Sequence, residues 1–197
     1  KSLGNGIDPL EVIAKYGADK EIAFPDTAYF FPTIYAATGV KVLNDDDELD
    51  FSLPGRFPLR WQRSYNSLTT REGLFGLGWA TTFDSYLTLE ENNATWFDET
   101  GRELSFELPP VDRAFYSISE GIIIRRNESG DVAIADDDGA VWRLYKPTRA
   151  NPAILRLASL SDEYGNALLT AWDEHGRLGG LHDEPRAIDV TLRYENE

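Results

Sequence analysis

The sequence predicts an all-β fold, an antiparallel meander of hairpins preceded by one short helix. Three observations predict it. Short runs in which apolar and polar residues alternate, as half-buried strands require, recur from residue 33 to residue 194. Between them stand turns of the form acid-x-x-Gly: Asp98-Glu99-Thr100-Gly101, Asp136-Asp137-Asp138-Gly139, Asp162-Glu163-Tyr164-Gly165 and Asp173-Glu174-His175-Gly176, with Asn127-Glu128-Ser129-Gly130 as a close variant. The Asp or Asn side chain can cap its own turn, and the glycine supplies the positive φ a hairpin needs. Finally, 42% hydrophobic and 12% aromatic residues over 197 positions are enough to build the core of one domain, or of a piece of a larger one.

The helix is expected over residues 9–16. Asp8 suits the N-cap, Pro9 the first helical position, Glu11 lies three residues past the cap, and Gly17 offers a left-handed stop; Leu10, Ile13 and Ala14 share one face. Residues 23–32 are aromatic and punctuated by Pro25 and Pro32, which keep them out of a central strand. Residues 1–32 therefore read as a lead-in segment docking on a main body over 33–197. In that body Leu59, Trp61, Arg63 and Tyr65 alternate with Arg60, Gln62 and Ser64, and Leu104, Phe106 and Leu108 alternate with Glu103, Ser105 and Glu107. Further strand-like runs cover 122–124, 132–135, 141–146, 154–160, 167–172 and 188–194. Gly73-Leu74-Phe75-Gly76-Leu77-Gly78, followed by Trp79, reads as a tight hairpin under an aromatic ring. Such a meander exposes unpaired edges, which closure or further strands would satisfy. The absence of methionine, and a strand ending three residues before Glu197, lead us to expect a fragment of a longer chain.

Charge and composition exclude several functions. With 34 acidic against 19 basic residues the net charge is −15, which would repel a nucleic-acid backbone or an anionic membrane surface. No apolar run approaches the roughly 20 residues that span a bilayer, and the first 25 residues lack a signal-peptide layout. Zero cysteines remove disulfides, thiolate metal sites and cysteine nucleophiles.

Any Ser-His-Asp or His-ligated site must use His175 or His182, both in turn-rich stretches that point to exposed turn residues. Asp136 with Asp138, or Asp45-Asp46-Asp47-Glu48, could supply oxygen ligands for calcium, but neither has EF-hand spacing and solvated turns are the expectation. A glycosidase pair cannot be picked out among so many acids. Gly-x-Ser-x-Gly and phosphate-loop motifs are absent. The expectation is a protein that is not an enzyme, with no catalytic, cofactor-binding or metal residues and no cofactor. Trp61, Tyr65, Trp79, Trp96, Trp142 and Trp172 either form a binding surface or pack in cores and cross-strand pairs. Arginine outnumbers lysine 14 to 5. Arg60, Arg63, Arg125, Arg126, Arg143, Arg156 and Arg193 fall in predicted strands, where carboxylate ladders are the default expectation.

One ordered series of motifs resembles a known family. Ala37-Thr38-Gly39-Val40-Lys41-Val42, then Asp50-Phe51-Ser52-Leu53-Pro54-Gly55-Arg56-Phe57-Pro58-Leu59-Arg60-Trp61, Arg63-Ser64-Tyr65-Asn66-Ser67 and Gly76-Leu77-Gly78-Trp79 resemble the opening of the Rhs (rearrangement hotspot) core. The similarity runs on through Asp98 to Arg102 and Asp162 to Asn166. It ends in Trp172-Asp173-Glu174-His175-Gly176-Arg177-Leu178, which resembles the family's tyrosine-aspartate (YD) repeat with Trp172 in the tyrosine position. Thr33-Ile34-Tyr35-Ala36 departs from the family's usual Gly-Asp-Pro-Val-like lead-in.

The resemblance implies the N-terminal part of a hollow β-cocoon, as in Rhs proteins, insecticidal toxin complexes and teneurins. Bacterial members are polymorphic toxins, effectors of bacterial competition that encapsulate a C-terminal toxin and are often loaded on type VI secretion spikes. Implied partners are the rest of the shell, the enclosed toxin, and a spike protein and chaperone reached through a region before Lys1; no nucleic acid and no membrane span are implied. Implied localisation is the bacterial cytoplasm before export, then secreted. The alternative is a carbohydrate- or surface-binding β-module using exposed aromatics, and a third reading is a hydrolase using His175 or an acid pair.

Overall fold

A computed structural model describes residues 13–14, 33–35, 40–43 and 49–194 of the chain. Every strand pairing in it is antiparallel. The larger sheet has twelve strands and curls into a half-barrel. Its continuous path runs from β12 (Ala114–Ser117) through β13 (Ile122–Arg126), β14 (Val132–Asp136), β15 (Val141–Pro147), β16 (Ile154–Asp162), β17 (Ala167–Trp172) and β18 (Leu178–Asp183) to β19 (Asp189–Thr191) and β1 (Ile13–Ala14). A branch of β9 (Tyr86–Glu90), β10 (Asn93–Phe97) and β11 (Glu103–Glu107) joins it at β16.

The branch point follows from an irregularity in β16. Tyr145 pairs with Leu157 while Leu144 pairs with Ser159, so Ala158 is the extra residue of a bulge. On its other edge, Ile154 to Arg156 pair with β9, whereas Ser159 to Ser161 pair with β17. The carbonyl of Leu157 lies in the gap between these pairings. It accepts instead from Trp172 Nε1 at 2.8 Å and from the Thr170 hydroxyl, so the fork leaves no orphan acceptor there.

A second sheet runs β2 (Thr33–Tyr35), β3 (Val40–Leu43), β5 (Leu59–Asn66), β4 (Leu49–Leu53), with β8 (Trp79–Thr81) added on β5. Its apolar face meets the large sheet in one cluster. Phe51, Leu53, Leu59 and Trp61 from β4 and β5 pack with Leu87, Trp96, Ile124, Ile134, Tyr145, Leu155, Leu157 and Leu181. Trp61 is 1% exposed, stacked between Phe51 (5.9 Å) and Phe83 (5.2 Å), with the edge of Phe75 at 6.2 Å.

The expected Gly73 to Gly78 hairpin is present, as β6 (Glu72–Gly73) and β7 (Gly76–Leu77). It needs its glycines: a Cβ at Gly73 would lie 2.2 Å from the Trp79 carbonyl, and Gly78, at φ +83°, lies under the Tyr65 ring.

The meander prediction therefore holds across the described body. The helix expected over 9–16 does not hold at Ile13 and Ala14, which pair as a strand with Thr191 and Val190. There the free edge of β19 offers hydrogen-bond partners that outweigh a local helical preference. The rest of that helix, and residues 1–32 apart from these two, lie outside the described residues. The strand expected over 188–194 is shorter, Asp189–Thr191, which leaves Arg193 beyond it.

Candidate functional site: hairpin turns, a buried polar chain and an open edge

The acid-x-x-Gly turns form a five-residue unit whose fifth member closes it. In Asp173 to Arg177, the Asp173 N–H donates to the Arg177 carbonyl and the Gly176 N–H to the Asp173 carbonyl. Asp173 Oδ1 accepts from the N–H of His175 and of Arg177, and Oδ2 from Arg177 Nε at 2.8 Å. Asp98 to Arg102 repeats every one of these roles, with Thr100 and Arg102 as donors. Asp162 to Asn166 does so with an amide in place of the guanidinium.

These contacts favour the ionised acid. At Asp162 the Asn166 side-chain amide, helped by backbone N–H groups, outweighs the cost of burial and holds the carboxyl below its ordinary value. At Asp173 burial pulls upward, and the backbone and guanidinium of Arg177 outweigh it. Arg177 also covers the Tyr194 ring, its guanidinium 4.5 Å from the centroid. Burial, with Asp173 adding to it, pushes the Tyr194 phenol up to about 12, and its hydroxyl donates to the Leu178 carbonyl.

A chain of buried hydrogen bonds ties β10 to β15. Trp96 Nε1 donates to the Tyr145 hydroxyl at 2.8 Å, and Tyr145 and Ser85 lie 3.0 Å apart. Ser85 donates its proton to the Thr82 carbonyl, so Tyr145 is the donor to Ser85. Burial pushes the Tyr145 phenol well above the ordinary tyrosine range. Just outside this chain, Asp84 bonds Arg71 at 2.8 Å and accepts from the N–H of Thr81 and Leu74. Its burial still outweighs those partners and raises its carboxyl. Arg143 reaches Glu99 and Asp136, at 2.5 and 3.3 Å.

Arg63, Arg125, Arg143 and Arg156 all lie over aromatic rings and differ in whether a carboxylate is bound as well. Arg63 meets the carboxylate expectation, clasping Asp50 through two nitrogens at 2.6 Å, as does Arg143. Arg125 and Arg156 cover rings: Arg125 lies 4.5 Å from the Trp142 centroid, and Arg156 4.9 Å from Trp172 and 5.8 Å from Tyr86.

Of the six aromatics singled out in the sequence, Trp61 and Trp96 are in the core and Tyr65, Trp79, Trp142 and Trp172 are partly covered; none is exposed. His175 does sit in an exposed turn, 3.7 Å from Glu174. His182 differs from expectation: it lies within β18, paired with Leu169 and Asp189, and is half-buried. Asp136 serves Arg143, and Asp138 accepts from the Ala140 N–H as a turn cap. Residues 45–48 lie outside the described residues. Among the described residues no group of three or more His, Asp or Glu is placed to hold a metal ion, and no helix is long and apolar enough to cross a membrane.

The feature that the sequence pattern did not reveal is an apolar edge. Among the described residues strand β12 ends the large sheet, paired only with β13, and around it Val111, Phe115, Tyr116 and Ile118 are 42%, 47%, 48% and 84% exposed. Their clustering between Pro110 and Glu120 was the available signal. Free strand edges of this kind are templates for further pairing.

Comparison with known proteins adds a class to this geometry: the chain is a toxin-related all-β protein. Residues 33–106 match the family described as a domain of unknown function, DUF6531. A curated relative, double-stranded DNA deaminase toxin A of Burkholderia cenocepacia (strain H111), is 25% identical over 212 aligned positions, covering 94% of this chain but 15% of the relative. Residues 9–49 also match the carbon monoxide dehydrogenase subunit alpha N-terminal domain, in a span of which only 13–14, 33–35, 40–43 and 49 are described.

Proposed function

We propose that the chain is a non-catalytic segment of an Rhs-type shell that encloses and protects a C-terminal toxin. The observation that carries this reading is the large curled sheet, built from repeated Asp-x-x-Gly-Arg/Asn turns and ending at β12 in an apolar strand with one unpaired side. Neighbouring strands of a continuing shell would cover that edge. The match to a small fraction of a much longer toxin supports it too, since a shell segment would align with part of such a protein. On this reading the toxin's activity lies outside these residues. The shell is assembled in the bacterial cytoplasm, and export is by type VI secretion through a spike protein and chaperone that bind before Lys1.

The test is limited proteolysis of the longer protein that carries the C-terminal toxin. The toxin is expected to resist cleavage in the native protein and to become susceptible when the core is opened by Trp61→Ala. A toxin cut equally fast in the native and the denatured protein would overturn the reading.

A further inference from the structure

A groove of about 790 Å³ lies at the fork of the large sheet, between the turn at residues 147–151 and the turn at 173–176. Lys146, Arg149 and Arg156 line it, with Trp172 along one wall and His175 at the rim. On a chain of net charge −15 this is a local reversal of sign.

Arg156 is the group to explain. Its guanidinium lies between the Trp172 and Tyr86 rings, and among the described residues it has neither a carboxylate nor a hydrogen-bond acceptor. Arg63, Arg71 and Arg143 each meet a carboxylate. Burial draws Arg156 below the ordinary arginine range, so its charge is held at a cost. Arg71 adds to that cost and Asp84 offsets part of it, and Lys146 pairs directly with Arg156 across β15 and β16, on the same face, where like charges repel. Two cations in register beside a groove, one of them seated over aromatic rings with no carboxylate in contact among the described residues, form a receptor lacking its anion. A planar guanidinium held in this way presents a preformed fork to a planar carboxylate.

We propose that this groove binds an acidic peptide segment, with Arg156 taking a side-chain carboxylate and Lys146 and Arg149 supporting its neighbours. The charges around the groove favour a short carboxylate peptide over a phosphate polymer. Three cations line the groove, Lys146, Arg149 and Arg156, against two acids, Asp173 and Glu174, so its charge complements a short acidic peptide. Asp173 adds little, being neutralised by Arg177. The proposal does not depend on the shell reading.

The experiment is calorimetric titration of the chain with capped tetraglutamate, with capped tetraglutamine and inorganic phosphate as controls, repeated for Arg156→Gln and Lys146→Glu. Tetraglutamate is expected to bind, tetraglutamine not to bind, and Arg156→Gln to weaken binding by about tenfold, the loss of one bidentate charged contact. Lys146→Glu supplies the missing carboxylate from within, so it should abolish peptide binding and raise the thermal midpoint; that rise also shows that the variant is folded. Tetraglutamate binding unchanged in both variants would overturn the proposal. Phosphate binding as tightly as the peptide would overturn the peptide assignment.

Discussion

The two faces of the large sheet are built differently from the same strands. On the face toward the second sheet, Leu87, Ile124, Ile134, Leu155, Leu157 and Leu181 are buried to the last per cent, and the polar atoms among them are tied into the Trp96–Tyr145–Ser85 chain. On the opposite face, Arg125 and Arg156 cover Trp142 and Trp172, and Tyr86 stacks on Phe97 at 4.4 Å. The first face gains its stability from area removed from water, which depends little on exact geometry. The second is half-wet, and cations seated over rings order it.

Substitutions should separate these two constructions, and the closed face should be the more sensitive. Trp61→Ala removes the ring stacked on Phe51 and Phe83 and is expected to lower stability by about 3–5 kcal/mol in denaturant unfolding. Tyr145→Phe keeps the ring but strands Trp96 Nε1 in the interior and removes the hydrogen bond that Ser85 accepts, an expected loss of about 1–3 kcal/mol. Arg125→Gln on the open face removes one exposed ring contact, for which a loss of roughly 0.5 kcal/mol is expected. Equal losses at Trp61 and Arg125 would erase the distinction.

The turns add a pH dependence common to both faces. The folded carboxyls of Asp162 and Asp173 lie below their ordinary value of 3.8, so their stabilisation is complete above that pH. It is lost as pH falls through the lowered folded values. Thermal midpoints measured from pH 6 to pH 2 should therefore drop most steeply below pH 4, and the drop should be shallower in Asp162→Asn.

Much of this was legible in the residues because the signals were local. The β5 run from Leu59 to Tyr65 alternates cleanly, and each Asp-x-x-Gly turn carries its own cap and its own positive φ, as at Gly165 and Gly176. What escaped was either short or decided by distant partners. Strand β18 contains Gly179 and Gly180 and a histidine, a poor strand by propensity, yet β17 and β19 pair with it on both sides. Ile13 and Ala14 fit a helix by spacing and pair with β19 instead. The turn acids were visible as caps, but their closure by Arg102, Asn166 and Arg177 needed the folded register. The choice of Arg156 for rings over carboxylates was set by the fork in β16, which no period in the sequence encodes.

The central claim is that the large sheet continues past β12 in an enclosing shell. Hydrogen exchange at the amides of Ala114–Ser117, compared between the 197-residue chain and the longer, toxin-bearing protein that the shell reading requires, tests it most directly. Protection of these amides is expected to rise sharply in the longer protein, as the free side of the edge strand is paired or covered. Equal exchange in the two, with the core amides of β14 and β16 protected in both, would contradict the claim.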